Sequence, residues 1–472
     1  MYSGFLHGVE TEEIRVGPVP VRAVKSAVIA LVGTAPVGPR QQLVLVNNAN
    51  DAAQFGDPIP GFTLAKAIAD IQKQGAGTII AVNIYDPETH LATVTNESKT
   101  PVNGKFKLNF AAISNLVIKS NDDETTYVLN SDYKVDVYGN VTVLNSTNMP
   151  NDTAVKASYK RLNPSLVSSA NFIGSNTSGV RTGLKLYELC FNTFGVKPKI
   201  FLTPWYSSVN AIAAELIVQA NKYRAIALID APVGTTPSGA ISGRGPSGSI
   251  NFNTGSGRAY LLYPHFTAYD IATDADENRP FSIYMAGLIA ATDNTEGYWK
   301  SPSNRQVLGV TGVERVVSWD WADPTTEANA LNEVGITTIV NSFGTGFRSW
   351  GNRLASFPIG DTTPDTFISV RRTRDVVHDS LEQAALQFID VTNITQAGID
   401  QVRDSGNAFV NVLIGRGALL PGSKVIYEKE RNPATQLAQG HVVFTLVATP
   451  PSPMERITYT SYLDISLYDN IR

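Results

Sequence analysis

Two glycine-rich stretches are the first places to look for chemistry. Gly243-Arg244-Gly245-Pro246-Ser247-Gly248 has the GxGxxG spacing that brings backbone N–H groups up to a pyrophosphate. That use needs a strand before the loop, a helix after it and free donors within it. Pro246 carries no N–H and Ser249 to Asn253 does not open a helix, so no nucleotide site is expected. Gly417 to Lys424 (GALLPGSK) has the composition of a phosphate-binding loop. Ser423 and Lys424 stand in reversed order, however, and a strand follows where a helix is required, so a plain helix-to-strand connection is expected. The five histidines, His7, His90, His265, His378 and His441, form no HxxxH or HExxH pair for a metal. His378, beside Asp379 and Glu382, reads as part of a solvated helix face. The single cysteine, Cys190, excludes an internal disulfide and sits on an apolar helix face as a small core residue. Asp320 and Asp323 lie in turn-like sequence, with nothing to set the separation of a working carboxylate pair. Neither an enzyme nor a cofactor is expected.

Composition points the same way. Across 472 residues, 38 Lys+Arg stand against 42 Asp+Glu for a formal net charge of -4, without the basic excess of a nucleic-acid binder. Charged residues make up 17% of the chain, where about 25% is usual. That deficit predicts that partners cover much of the surface. The length suggests about three domains, at roughly 150 residues each. The opening MYSGFLHGVETEEIRV has neither a basic leader nor an apolar one. The longest apolar runs, such as Ala27 to Val32, fall far below the ~18 residues of a membrane span. A soluble chain without a signal peptide is expected, assembled in the cytoplasm and not inserted in a membrane.

The elements that would position any site alternate between α and β. Ala27 to Gly33 and Thr78 to Ile84 are continuous apolar runs of buried-strand type, separated by a helical pattern over Phe62 to Gln74. This order predicts a parallel crossover. From His90 to about Leu162 the texture becomes Thr-, Asn-, Val- and Tyr-rich with period-two runs, including a hairpin turn at Tyr138-Gly139-Asn140. An all-β insertion is expected there. Helices over Thr182 to Phe194, Val209 to Tyr223 and Phe281 to Ala291 then alternate with strands over Ile200 to Leu202, Ala225 to Ile229, Tyr260 to Tyr263 and Ile336 to Val340. Gly234 to Gly257 reads as a long loop. Two helices, Arg374 to Ile389 and Thr395 to Val412, precede strands Val425 to Tyr427 and Val442 to Val447, paired around Asn432-Pro433.

Both ends of the chain are strand-like and set off by prolines. Val9, Thr11, Ile14 and Val16 precede Pro18 and Pro20. Pro450, Pro451 and Pro453 precede Ile457 to Tyr468, where Leu463, Ile465 and Leu467 alternate with Tyr462, Asp464, Ser466 and Tyr468. Such segments are either edge strands of the protein's own sheet or strands added to sheets of neighbouring copies.

The densest run of unusual residues lies between Gly297 and Arg353. It contains Trp299-Lys300-Ser301-Pro302, GVTGV at Gly309 to Val313, LNEVGITT at Leu331 to Thr338, and GFRSWGNR at Gly346 to Arg353. Trp299, Trp319 and Trp350 are expected to pack in the core. These motifs, with HGVETEEI at His7 to Ile14, resemble the tail sheath proteins of contractile-tailed bacteriophages and of related phage-tail-like bacteriocins. The order of elements agrees over Gly4 to Gly56 and Leu166 to Asn470, and the β insertion lies outside the resemblance.

The resemblance implies an α/β (α+β) sheath core with terminal β-strand arms plus the inserted all-β domain. The corresponding boundaries are an N-terminal arm at 1–25, a sheath α/β domain at 26–88 and 164–360, and an outward-facing β domain at 89–163. A C-terminal domain at 361–450 lies on the inner surface, and an arm strand occupies 451–472. Function would be structural: hexameric rings stacked helically around an inner tail tube, contracting to drive the tube through a target envelope. Implied partners are further copies of the chain, the tube protein, and baseplate and terminator proteins, in a virion tail or bacteriocin particle. Strand exchange would use Val9, Thr11, Ile14, Val16, Tyr459, Tyr462, Leu463, Ile465 and Leu467. Pro18, Pro20, Pro450, Pro451 and Pro453 would serve as hinges, and Asp400, Arg403 and Asp404 as tube contacts. An adhesive or carbohydrate-binding protein using the β insertion is the alternative.

Overall fold

The computed structural model describes residues 20–75, 77–342, 344–358 and 363–470. The chain divides into two compact units, one comprising Lys25–Arg372 with Ser452–Arg472, the other Met1–Val24 with Thr373–Pro451.

The larger unit is built on an eight-stranded sheet. In spatial order its strands are Val44–Val46, Thr78–Asn83, Val28–Gly33, Ile200–Leu202, Ile226–Asp230, Ala259–Leu262, Ile336–Asn341 and Phe347–Trp350. The six inner strands run parallel, and each edge strand is antiparallel to its neighbour. Parallel strands covered on both faces need apolar side chains in both directions. This is why Val28–Gly33 is apolar throughout: Val28, Ala30 and Val32 join one core cluster, while Ile29 and Leu31 join the other.

Helices Leu64–Lys73 and Phe281–Thr295 cover the face carrying Ile29 and Leu31, and Asn210–Tyr223 and Glu327–Glu333 cover the opposite face. A Cβ at Gly287 would lie 2.8 Å from the Ile71 carbonyl oxygen, so the first two helices touch backbone to backbone there. Asp230, buried at the end of its strand, accepts from the Ser282 N–H at 2.8 Å and the Ser207 hydroxyl at 3.0 Å, holding the first turn of Phe281–Thr295 in place. Burial raises its pKa, against the lowering by His265 and by these donors.

A hairpin of Phe266–Asp270 and Ala275–Arg279 brings charge into the same unit. Lys66 pairs with Asp270, and with Glu277 at 2.9 Å; Arg279 donates to Asp270 at 2.6 Å. Lys66, Asp270 and Arg279 are all buried. The sequence reading missed this hairpin, because its second strand (ADENR) has no apolar period.

Between Leu91 and Leu162 every element is a strand. Leu91–Lys99, Val155–Leu162, Ile113–Ser120 and Thr126–Tyr127 form one antiparallel sheet; Lys105–Lys107, Asn140–Val143 and Tyr133–Val135 form another. Ile118, Tyr133, Val141 and Ala157 belong to an apolar cluster of their own. Gly139 takes φ +82° at the expected turn, where the Asp136 carboxylate accepts from the Tyr138 and Asn140 N–H groups.

Three expectations need correction in this unit. Thr182 to Phe194 is a 3-10 helix over Gly183–Leu189 that becomes α-helical only at Cys190–Phe194. The long loop contains a helix, Pro237–Ser242, started by Pro237 and capped by the Thr236 hydroxyl. The tryptophans are half-buried rather than enclosed: Trp319 and Trp350 meet edge to face at 5.5 Å, on the margin of a core cluster.

The smaller unit contains the helix Gln396–Gly415 and the two-stranded antiparallel sheet Lys424–Tyr427/Phe444–Val447, paired as expected around Asn432-Pro433. A short helix, Ala434–Ala438, lies between these two strands, and the helix Ile368–Ala385 starts before the expected Arg374. Gly406 lets the helix Gln396–Gly415 approach the sheet, since a Cβ there would sit 3.0 Å from a Val425 methyl. Next to it, the Asn407 side chain accepts from the Val425 N–H and donates to the Val425 carbonyl, both at 2.8 Å.

Candidate assembly surfaces

The motifs set aside on sequence grounds are structural. The Arg244 guanidinium of the GxGxxG stretch is buried and donates to the carbonyls of Val334, Phe252, Ala355 and Phe357 at 2.6–3.1 Å. It ties the loop to the protein's own backbone, in the place where a nucleotide-binding loop would offer donors to a phosphate. Gly417 to Lys424 does connect a helix to a strand. The buried Cys190 thiol donates to the Val196 carbonyl, and burial raises its pKa to about 11, away from nucleophilic use. Among the described residues no group of His, Cys, Asp and Glu could hold a metal ion, and no helix is long and apolar enough to cross a membrane.

Surfaces suited to protein contact lie elsewhere. The sheet Lys424–Tyr427/Phe444–Val447 has no third strand among the described residues. Apart from the Asn407 amide at Val425, its outer edges carry ladder donors and acceptors without a strand neighbour, a condition that favours addition of another chain.

The C-terminal segment shows the complementary lack. The expected strand over Ile457 to Tyr468 is not formed: residues 451–464 belong to no strand, and Ile465–Asn470 is a 3-10 turn. A strand exists only through its ladder, and among the described residues this segment joins no sheet. Its apolar side chains face solvent. Tyr459 is 90% exposed, Tyr462 88% and Leu463 79%, with Ile465 and Leu467 exposed beside them. So contiguous an apolar display marks an interaction surface. Val9, Thr11, Ile14, Val16 and Pro18 lie outside the described residues.

Of the expected hinges, Pro20 is exposed, while Pro450 is buried and Pro451 and Pro453 are half-buried. The chain passes from the smaller unit to the larger between Pro451 and Ser452. Asp400, Arg403 and Asp404 do come together on Gln396–Gly415. Arg403 pairs with Asp400 at 2.7 Å and with Asp404 at 2.9 Å, and the Asp404 hydrogen bond chiefly raises its pKa. Arg403 is thus satisfied on its own helix, and the triplet presents a net negative charge to solvent.

Strand edges without a neighbour among the described residues and an exposed apolar tail are features suited to protein contact. The fold is that of contractile-injection-system sheaths. It matches the helical sheath of the anti-feeding prophage in its contracted state with a TM-score of 0.59 at 18% identity, covering 98% of this chain and 100% of that one. It matches the contracted PVC sheath complex with a TM-score of 0.59 at 14% identity, covering 99% and 100%.

Sequence carries the identification further. Residues 179–353 match the phage tail sheath protein central domain, and residues 361–464 match the phage tail sheath C-terminal domain. The chain is 45% identical to the tail sheath protein of Burkholderia phage BcepMu over 464 residues, covering 97% of both. It is 31% identical to the tail sheath protein of Escherichia phage P2 over 290 residues, 61% of this chain and 69% of that one. The chain therefore belongs to the phage tail sheath family, as a structural subunit of a contractile phage tail and not an enzyme.

Proposed function

We propose that this chain polymerises as hexameric rings stacked helically around an inner tail tube, and that contraction of the sheath drives the tube through a target envelope. Its partners are further copies of itself, the tube protein, and baseplate and terminator proteins. The observation that carries this reading is that, among the described residues, one chain holds both a two-stranded sheet without a third strand and a tail without a ladder. In the assembly each tail, through Tyr459, Tyr462, Leu463, Ile465 and Leu467, adds a strand to the sheet Lys424–Tyr427/Phe444–Val447 of a neighbour. The N-terminal arm, through Val9, Thr11, Ile14 and Val16, does the same. Main-chain hydrogen bonds supply the affinity and alternate side chains the register. A head-to-tail contact of this kind does not close on itself and so builds a filament.

The prolines at 18, 20, 450, 451 and 453 are the pivots about which subunits turn without separating. A family without nucleotide chemistry has to store the energy of contraction in subunit contacts, and a switch between two packings needs only a few kcal/mol per subunit. The strand module at 89–163 faces outward. Asp400, Arg403 and Asp404 meet the tube, exchanging their pairs along the helix for pairs across the interface.

Removing residues 456–472 tests the reading. The truncated chain keeps its monomeric fold, because the side chains at 456–468 are exposed, but forms no sheath by negative-stain microscopy. Ordinary sheaths from the truncated chain would contradict it.

A further inference from the structure

GFRSWGNR ends on Arg353, just beyond the edge strand Phe347–Trp350. Its guanidinium lies 3.6 Å from the centroid of the Phe367 ring and 4.5 Å from that of Phe357. One terminal nitrogen donates to the Thr366 hydroxyl at 2.6 Å. The remaining edge meets a single carboxylate in two places, with Nε 3.1 Å from Glu455 Oε1 and the other terminal nitrogen 2.6 Å from Oε2. Glu455 stands at the root of the exposed tail, immediately before Arg456 and Ile457. All these residues belong to the larger unit.

We propose that Arg353 is a carboxylate-docking site whose ligand in the free subunit is Glu455 of its own tail, and that this contact is a latch which parks the tail before assembly. An ion pair between exposed side chains usually contributes little. This one differs in three respects: its geometry is two-pronged, its guanidinium is fixed in advance by two aromatic faces and a hydroxyl, and the Arg353 side chain is only 16% exposed. The latch holds residues 452–455 against the unit that carries the edge strand Phe347–Trp350. Residues 456–470 remain free, with an extended reach of roughly 50 Å. While the root is held, the tail samples fewer of the directions in which a neighbour's sheet can lie. If parking is favoured about tenfold, only about a tenth of free subunits present a loose tail, and the apparent affinity for exchange falls by the same factor. A latch of this strength slows spontaneous polymerisation while leaving growth possible on a template that offers many open edges at once.

The inference rests on the strand exchange proposed above, and its test separates the two. In the full-length monomer, Glu455→Gln removes the charge from an exposed position and leaves the fold intact. The mobile fraction of a spin label on Thr458→Cys should rise about three- to tenfold, and the polymerisation lag followed by light scattering should shorten by a similar factor. Glu455→Lys, which repels Arg353, should act at least as strongly. Unchanged label mobility and lag in Glu455→Gln, or slower polymerisation in both variants, overturns the latch. The chain lacking 456–472 serves as the control. If it polymerises normally, strand exchange itself fails; if it stays monomeric while Glu455→Gln behaves as wild type, the latch alone fails.

Discussion

The central sheet and the C-terminal hairpin are made from similar residues and end in opposite conditions. In the sheet, strands such as Val28–Gly33 have a ladder on each side and a packed layer on each face, and both outermost strands are short. In Lys424–Tyr427/Phe444–Val447, two strands stand without a third among the described residues, and one backbone position is occupied by a side-chain amide from Asn407. The tail goes further: it has β-forming residues and no ladder. The sheet's stability is internal to one molecule, whereas on the proposed reading the hairpin and tail are completed by another. Under the proposed function a sheath subunit needs both, a body that survives contraction unchanged and edges that remain available.

Three predictions can break or sharpen that contrast. The largest effect falls on the buried charges of the larger unit. Asp270→Asn leaves Lys66 and Arg279 buried without their shared carboxylate, and breaking such a group costs about 3–5 kcal/mol, readable as a lowered Tm of the monomer. Burial alone would raise the Asp270 pKa, but Lys66 and the Ala272 N–H outweigh it and hold the carboxyl at about 2. The folded pKa lies below the unfolded value of about 3.9. The contribution is therefore complete above pH ~4 and disappears as the pH falls towards 2. Wild type should lose stability across that window, and Asp270→Asn should show a flatter profile there.

Next in size is a matched pair of truncations. Leu228→Ala, in the middle of the sheet and fully buried, should cost about 2–5 kcal/mol in denaturant unfolding of the monomer. Leu463→Ala, 79% exposed, should leave monomer stability within about 0.5 kcal/mol and weaken polymerisation instead. Equal costs in the monomer would erase the distinction between the two regions.

The smallest effect is expected from the strand module. Residues 91–162 hold their own apolar cluster and hang between Thr78–Asn83 and Pro164–Leu166. Replacing them by a short glycine-serine linker should leave sheath assembly visible by microscopy. Loss of assembly would mean that the module is part of the lattice, and an adhesive role would predict lost attachment to target cells with assembly intact.

Elements whose burial is local were readable from sequence. Val28–Gly33, Thr78–Asn83 and the helix Leu64–Lys73 between them carry their environment in their own periodicity, and the hairpin turn at Gly139 carries it in a positive φ. Elements whose environment is supplied from far away were not. Ala275–Arg279 is polar in sequence and becomes part of a hairpin because its ions meet Lys66, some two hundred positions earlier in the chain. The Ile457 to Tyr468 pattern was legible as a strand, yet no ladder forms for it among the described residues. The role of Arg353 was not legible at all: GFRSWGNR pointed to a family, and only the aromatic pair and Glu455 show what its last residue holds.

The most direct measurement is a high-resolution cryo-EM reconstruction of the assembled sheath, tracing each polypeptide from Pro450 to its end. Density joining residues 457–468 of one subunit, as a hydrogen-bonded strand, to the Lys424–Tyr427/Phe444–Val447 sheet of another is the predicted result. Density in which that segment turns back and packs only against its own subunit would contradict it.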